Sequence, residues 1–382
     1  MTIYIVTFIT SYFLCLFAEN LLNRNNDKKT AIFLLCISVL VVAVMAGLRD
    51  NSVGTDTISY TAYYVEKVSR FKSIRAFMIN YHMYEPGFNV FSYIIGIIFN
   101  SSHWFLFWCA IVIYGFSMRT FYFYRNNCSI SMAWLFFLTV NCSEALNITR
   151  NYMALAIAAY AFTFVFRNNK KKFIIWSIIA MSFHVSAAIN FLLFLVYVGL
   201  KKYNNWKYKT FIIAGAVVCA FLYSYIFQIL SSFSFIASKS RDYLSYSGFS
   251  LQINPIIIRI PFLIMILLHR HSFKKANIIN DNGTYDSKDM FGEFCFILIF
   301  IELILSQLRS FSEVLYRLVT YEAILKYVSY SMVIDMSAYR GNIVVKRVFS
   351  YVFMFIVLIY WVVILNSGTI YPYTSDILGI RG

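Results

Sequence analysis

Charge is scarce in this chain of 382 residues. Asp, Glu, Lys and Arg make up 13% of it, against about 25% in a soluble domain. Hydrophobic residues reach 60% and the mean hydropathy is +0.67. A water-soluble fold is excluded, because so much apolar surface has nowhere to hide; lipid must solvate most of the chain. The signatures GxxxxGK[ST], GxSxG and HExxH are all missing, which argues against soluble nucleotide chemistry on the inner side. Cysteine is present seven times, as Cys15, Cys36, Cys109, Cys128, Cys142, Cys219 and Cys295, and no CxxC occurs. An odd count without paired spacing supports neither a disulfide framework nor a zinc site. No second histidine stands at ligand spacing from His184, so no metal is expected. Nothing basic precedes the first apolar run, Thr2–Leu22, which reads as a retained helix and not a cleaved leader. There is no internal repeat, and the halves lack the matched discontinuous segments that mark a secondary transporter.

What is present is apolar runs separated by basic loops. Apolar runs of spanning length fall at about 2–22, 31–48, 103–124, 130–148, 150–166, 210–229, 253–269, 291–309, 313–336 and 346–366. The run 88–99 is short, and 173–200 is long for one helix and short for two. The net charge of +16 sits in short loops, so it sets orientation in the membrane and does not call for nucleic acid. The expected fold is an all-α polytopic bundle of about 11–13 transmembrane helices in a single domain, 1–382, with one or two broken or re-entrant segments. Aromatic residues, at 20%, suit membrane interfaces and sugar-facing surfaces. The abundant Asn, Lys, Ile, Phe and Tyr fit an AT-rich coding sequence, as in bacteria.

The clusters Arg24/Lys28/Lys29, Arg167/Lys170/Lys171/Lys172, Lys201/Lys202/Lys207/Lys209, Arg270/Lys274/Lys275 and Arg340/Lys346/Arg347 are expected inside by the positive-inside rule. Both ends, together with the loops 49–85 and 230–252, are then outside, and 270–290 is an inner loop. Four apolar runs lie between the outer loop 49–85 and the inner cluster at 167–172, where an odd number of crossings is needed, so 88–99, the shortest, is taken as re-entrant. The run 173–200 reads as a bent pair of short helices with His184 near the tip; a single tilted helix is the alternative. The stretch Thr57–Asn80 places Tyr60, Tyr63, Tyr64, Val68, Phe71, Ile74 and Phe77 among basic residues. It suits either a helix in the interface plane or a loop helix packed on the protein.

Ionisable groups in or beside a span are costly and need a partner or a role. In GLRDNSVGTDTISY (47–60), Arg49 and Asp56 leave the membrane together, and an arginine fork there suits a phosphate; a snorkelling Arg and a capping Asp are the plain alternative. In YEPGF (84–88), Glu85 is placed to act as a base, to bind a sugar hydroxyl, or merely to complement a helix dipole. TRNYMALAIAAYAF (149–162) opens with Arg150 on a helix rich in alanine, a composition for close packing in lipid. FHVSA (183–187) puts His184 in an apolar stretch, as a proton carrier, a phosphate donor or a structural residue. In 230–252, Arg241, Asp242 and Tyr243 offer charge and a stacking face, as Tyr60 does earlier. Glu313 and Arg317 lie one helical turn apart and either pair with each other or free Arg317 for an anion. Glu19, Arg259, Glu302, Glu322 and Asp335 are charged residues within apolar runs, of the kind that mark ion paths.

Taken together, these segments resemble the EpsG/Wzy group of bacterial polysaccharide polymerases. The likeness rests on GLRDNSVGTDTISY, EPGF, TRNYMALAI and FHVSA in that order, and covers about residues 30–200; the second half agrees only in character. Asn151 stands where the family often has Gln. The resemblance implies a GT-C-like fold and a multi-pass protein of the bacterial inner membrane. It implies a glycosyltransferase that joins undecaprenyl-diphosphate-linked repeat units on the periplasmic side, making O antigen, capsule or exopolysaccharide. Arg49, Arg150, Arg241 and Arg317 would hold the diphosphate, while Tyr60 and Tyr243 would face sugar. His184, Asp56 and Glu85 compete as general base. No cofactor or metal is implied. The partners would be the lipid-linked donor and acceptor, the bilayer, a chain-length regulator and a flippase. The rival readings are a flippase or other transporter of lipid-linked sugar, and an O-antigen ligase-like transferase.

Overall fold

The computed structural model describes residues 1–24, 27–54, 56–57, 65, 67–68, 70–80, 84–231, 253–278, 290–307, 320–339, 348, 352, 355, 359 and 370–381. The protein is all-α: 82% of it is helical. Among the described residues there is no strand beyond an isolated bridge between Ser375 and Ile380. The chain divides into two compact units, 1–190 with 347–382, and 191–346.

The first unit is built from α1 (Thr2–Asn23), α2 (Lys28–Leu48), α3 (Ile74–Asn80), α4 (Pro86–Phe99), α5 (Ser102–Phe123), α6 (Ile130–Asn147), α7 (Thr149–Phe166) and α8 (Lys170–Phe183). Its centre is α7. Ala154, Ala156, Ala158, Ala159 and Ala161 make that helix thin, and all but a few of its residues are buried. Small side chains let neighbours approach closely where lipid supplies no hydrophobic drive between helices, and α5, α6 and α8 pack around it. Polar contacts do the rest. Ser11 Oγ donates to the Ser38 carbonyl and Ser38 Oγ to the Ser11 carbonyl, each at 2.8 Å, and Trp134 Nε1 donates to Ser11 Oγ at 2.9 Å. These bonds tie α1, α2 and α6 where unpaired groups would be costly. The outward faces are apolar: Val6, Phe13, Phe17, Phe33 and Ile98 are exposed, as lipid-facing residues should be.

Helices Thr2–Asn23, Lys28–Leu48 and Ser102–Phe123, and the segment Val185–Lys202, are long and apolar enough to cross a membrane. The protein is thus of the multi-pass kind. As the short run 88–99 suggested, α4 is short: 14 residues reach only about 21 Å against a hydrocarbon core of about 30 Å. The break at His184 is also present. There α8 ends, His184 is extended (φ −157°, ψ 126°), a 3-10 turn covers Val185–Ala188, and α9 (Ile189–Lys202) follows. Within 57–80, Val68 and Phe77 are fully buried against Phe71, Tyr84 and Tyr93. This part of the amphipathic stretch turns its apolar side to the protein.

The second unit contains most of α9, then α10 (Trp206–Ser231), α11 (Ile253–Leu268), α12 (Arg270–Lys274), α13 (Phe291–Ser306) and α14 (Ala323–Tyr339), the last preceded by a 3-10 turn at Thr320–Glu322. Lys209 and Glu293 form an ion pair at 2.9 Å that joins the starts of α10 and α13. Phe262 of α11 stacks on Tyr330 of α14, with centroids 3.9 Å apart.

The start of α4 abuts the end of α8 so closely that a Cβ on Gly87 would lie 2.1 Å from Ser182 Oγ and 2.8 Å from the Ser182 carbonyl oxygen. Gly87→Ala should therefore cost about 1–3 kcal/mol through overpacking. Gly115→Ala, on a helix position with nothing within 4 Å, should cost nothing. Thermal unfolding of the two purified variants in detergent checks the contrast; equal midpoints would refute it.

Candidate functional site

Glu85 is the N-cap of α4 but does not cap it. Pro86 follows at the first helical position, and the carboxylate turns away to serve other elements. Its Oε2 accepts from Arg150 Nη1 at 2.9 Å, and its Oε1 accepts from the Val185 backbone N–H at 3.1 Å. Both partners of the ion pair are 14% exposed at the side chain. The Arg150 guanidinium lies over the Tyr84 ring at 4.5 Å and near Phe88 at 5.9 Å, which adds cation–π attraction. Arg150 Nε is buried and has no hydrogen-bond partner among the described residues. One carboxylate thus joins the start of α4, the start of α7 and the break after α8.

His184 stands at that break, 8% exposed. Its Nδ1 accepts from the Ser186 backbone N–H at 3.2 Å. An accepting Nδ1 leaves the proton of the neutral ring on Nε2. In this conformation neutral His184 is a donor through Nε2.

The other brace runs from the 47–57 segment to the junction of α6 and α7. Arg49 caps α2 and is 1% exposed. Its Nη2 donates to the Leu146 carbonyl at 2.7 Å, while Nε and Nη1 have no hydrogen-bond partner among the described residues. Tyr4, Tyr114, Cys109 and Cys142 lie around it. Thr57 and Thr149 hydroxyls donate to the same Leu146 oxygen at 3.5 and 3.2 Å. Half-buried Asp56 donates its backbone N–H to Asn147 Oδ1 at 2.9 Å. Gly54, at φ +99°, permits the turn, and a Cβ there would lie 2.6 Å from Thr57 Oγ1. So the segment that carries Arg49 and Asp56 grips Leu146 and Asn147, three or four residues before Arg150.

Residues 370–381 close over the same region. Tyr4 donates to the Ile370 carbonyl and Tyr373 to the Met45 carbonyl, both at 2.8 Å. Ser375 Oγ donates to the Leu48 carbonyl, Asp50 N–H to the Thr374 carbonyl, and Asp376 N–H to Asp50 Oδ1. Burial pushes the Tyr373 phenol up to about 12, so it remains a donor at neutral pH.

The structure therefore brings Glu85 and Arg150 into contact, with His184 one residue from the carboxylate's second partner, Val185, and links Arg49 and Asp56 to Arg150 through the α6–α7 junction. Arg241, Arg317, Tyr60 and Tyr243 lie outside the described residues. Sequence reading did not find Leu146, Asn147 or Tyr84. It also missed the bond from Tyr152 OH to Glu144 Oε2 at 2.6 Å, which Asn141 supports. Tyr152 lies two residues beyond Arg150 in the same motif, which was the one available pointer.

The sequence matches the EpsG family over residues 32–375, and the chain belongs to that family. No curated protein and no solved structure matches it.

If the Glu85–Arg150 pair holds three elements together, Glu85→Gln and Arg150→Gln should each destabilise the protein by about 1–3 kcal/mol. The double variant should lose less than the two singles combined, with a coupling of about 0.5–3 kcal/mol. SDS-titrated unfolding of the four proteins measures this. Strict additivity would mean the pair contributes nothing as a pair.

Proposed function

We propose that this EpsG-family chain is a polysaccharide polymerase of the Wzy type. In this reading it is a membrane glycosyltransferase of the bacterial inner membrane that joins oligosaccharide repeat units carried on undecaprenyl diphosphate, with its site facing the periplasm. The observation that carries the reading is the Glu85–Arg150–Val185 junction. Three of the four segments that suggested the family meet there around a guanidinium with a buried, unspent N–H.

The reaction needs little more. An acceptor hydroxyl oxygen attacks the anomeric carbon of the donor sugar. The bond from that carbon to the diphosphate oxygen breaks, and the lipid diphosphate leaves with the electron pair. The hydroxyl proton passes to a base. Negative charge grows on the diphosphate, and fixed cationic donors lower the barrier. Arg150 is the first candidate, since Glu85 holds its plane and Tyr84 its face before substrate arrives. Arg49, Arg241 and Arg317 are the other diphosphate candidates, and Tyr60 and Tyr243 the sugar-facing ones. The candidate bases are Asp56, Glu85, whose two oxygens are both engaged, and His184, which presents a donor. Arginines in place of a divalent ion make the reaction metal-independent, with no cofactor. A chain-length regulator and a flippase would work beside it.

Deletion of the gene in its source organism, followed by a surface-polysaccharide gel, tests this. A single repeat unit left on the acceptor with the long ladder gone is expected. Loss of that unit, with lipid-linked units held inside, would instead point to a flippase; long polymer still on its lipid carrier would point to a ligase. Complementation with Arg150→Ala should lower long-chain polymer by at least about 100-fold at equal membrane insertion, whereas Lys171→Ala should restore the ladder. A normal ladder from Arg150→Ala would remove Arg150 from the site.

A further inference from the structure

Four charged side chains meet inside the second unit. Arg259 comes from α11, Glu302 from α13, Glu322 from the end of the 3-10 turn and Lys326 from the first turn of α14. They are shared unequally. Glu302 takes Arg259 Nε on Oε2 at 2.6 Å, Arg259 Nη2 on Oε1, and Lys326 Nζ on Oε1 at 3.0 Å. Glu322 is 5% exposed, and its buried Oε2 accepts no hydrogen bond among the described residues. That carboxyl lies against Cys295, Leu298, Glu302, Lys326 and Ser329, with no room among them for a water molecule.

Two carboxyls and two cations would balance if both carboxyls were ionised. Glu302, however, draws in both cations. A carboxylate oxygen left without a donor in an apolar interior costs several kcal/mol, which a proton removes. The groups that face Glu322 are Arg259 from α11, Cys295 and Glu302 from α13, and Lys326 and Ser329 from α14. Two of them are cations, already drawn to Glu302, and Glu302 is an anion that opposes a second negative charge. Charged residues inside spans occur where protons or ions are bound.

We propose that Glu322 is a buried proton-binding site, occupied at neutral pH. Its ligand is the proton. Occupied, the cluster carries a charge of +1 with Lys326 held on Glu302; empty, it is neutral, with Lys326 shared between Glu302 and Glu322 one helical turn behind it. The second unit thereby changes its charge when this proton is bound or released. This rests on the second unit alone and stands apart from the polymerase reading.

Dicyclohexylcarbodiimide tests it, because that reagent consumes only the protonated form of a carboxyl. The carboxyl oxygen bonds to the central carbon of the reagent, the carboxyl proton goes to a nitrogen, and rearrangement leaves an N-acylurea that retains every atom of both. The full chain in lipid nanodiscs is treated at several pH values from 6 to 9, and peptides are read by mass spectrometry. Glu322 should carry about tenfold or more adduct than Glu302 at pH 7. The adduct should fall as pH rises, and Glu322→Gln should abolish it. Labelling of Glu302 to the same extent would overturn the proposal. So would an unlabelled Glu322 in a sample that labels there once unfolded in SDS. Should Glu322→Gln fail to fold, the pH series on the wild-type chain decides by itself.

Discussion

A carboxylate and a guanidinium, each at the end of a helix and each mostly out of water, set the arrangement of the first unit. Neither can be left alone. A single charge left unpaired there is costly, which draws Glu85 and Arg150 together. Because Glu85 also takes the Val185 N–H, the pairing fixes more than two side chains: it fixes where α8 may stop. The close approach of Gly87 to Ser182 follows from this. Two helix ends that share one carboxylate leave no room between them for a side chain. The thin, alanine-rich α7 then lets the helices that carry these ends close around it.

A second cation is handled differently. Arg49 is deeper than Arg150 and meets a single carbonyl, that of Leu146, within a cage of tyrosine and cysteine. What it gives the fold is a fixed position for the α6–α7 junction, where the chain turns into the helix that carries Arg150. The two arginines therefore act in series: one positions the backbone from which the other projects, and any anion that settles at Arg150 meets a group held from both ends.

The sequence made the helical, membrane-spanning class plain, because scarce charge and long apolar runs leave no other solution. It also showed that the apolar run 88–99 is short and that the chain breaks at His184, since length and a polar residue in an apolar stretch are both readable one residue at a time. Partnership was not readable. Glu85 read equally as a base, a ligand for a sugar hydroxyl or a complement to its own helix dipole, and its partner lies 65 positions away. Arg49 looked like a fork for phosphate at a surface, yet it lies 1% exposed with a backbone oxygen, and backbone acceptors leave no mark in a sequence. The same holds for residues 370–381, whose bonds run mostly to main-chain groups. In the second unit, Arg259, Glu302 and Glu322 could be picked out as costly, but which carboxyl would win both cations depended on packing.

The grip of residues 370–381 on Tyr4, Met45, Leu48 and Asp50 has a consequence for how the protein is made. The first two helices enter the membrane early in synthesis, while the segment that fastens their ends is the last of these to leave the ribosome. At about 5–20 residues per second the interval is on the order of tens of seconds. Throughout that time the turn carrying Arg49 and Asp56 lacks its final hydrogen bonds. The turn is therefore fastened only after residues 370–381 have been made, and a chain cut short before them is already inserted but has this turn unfastened.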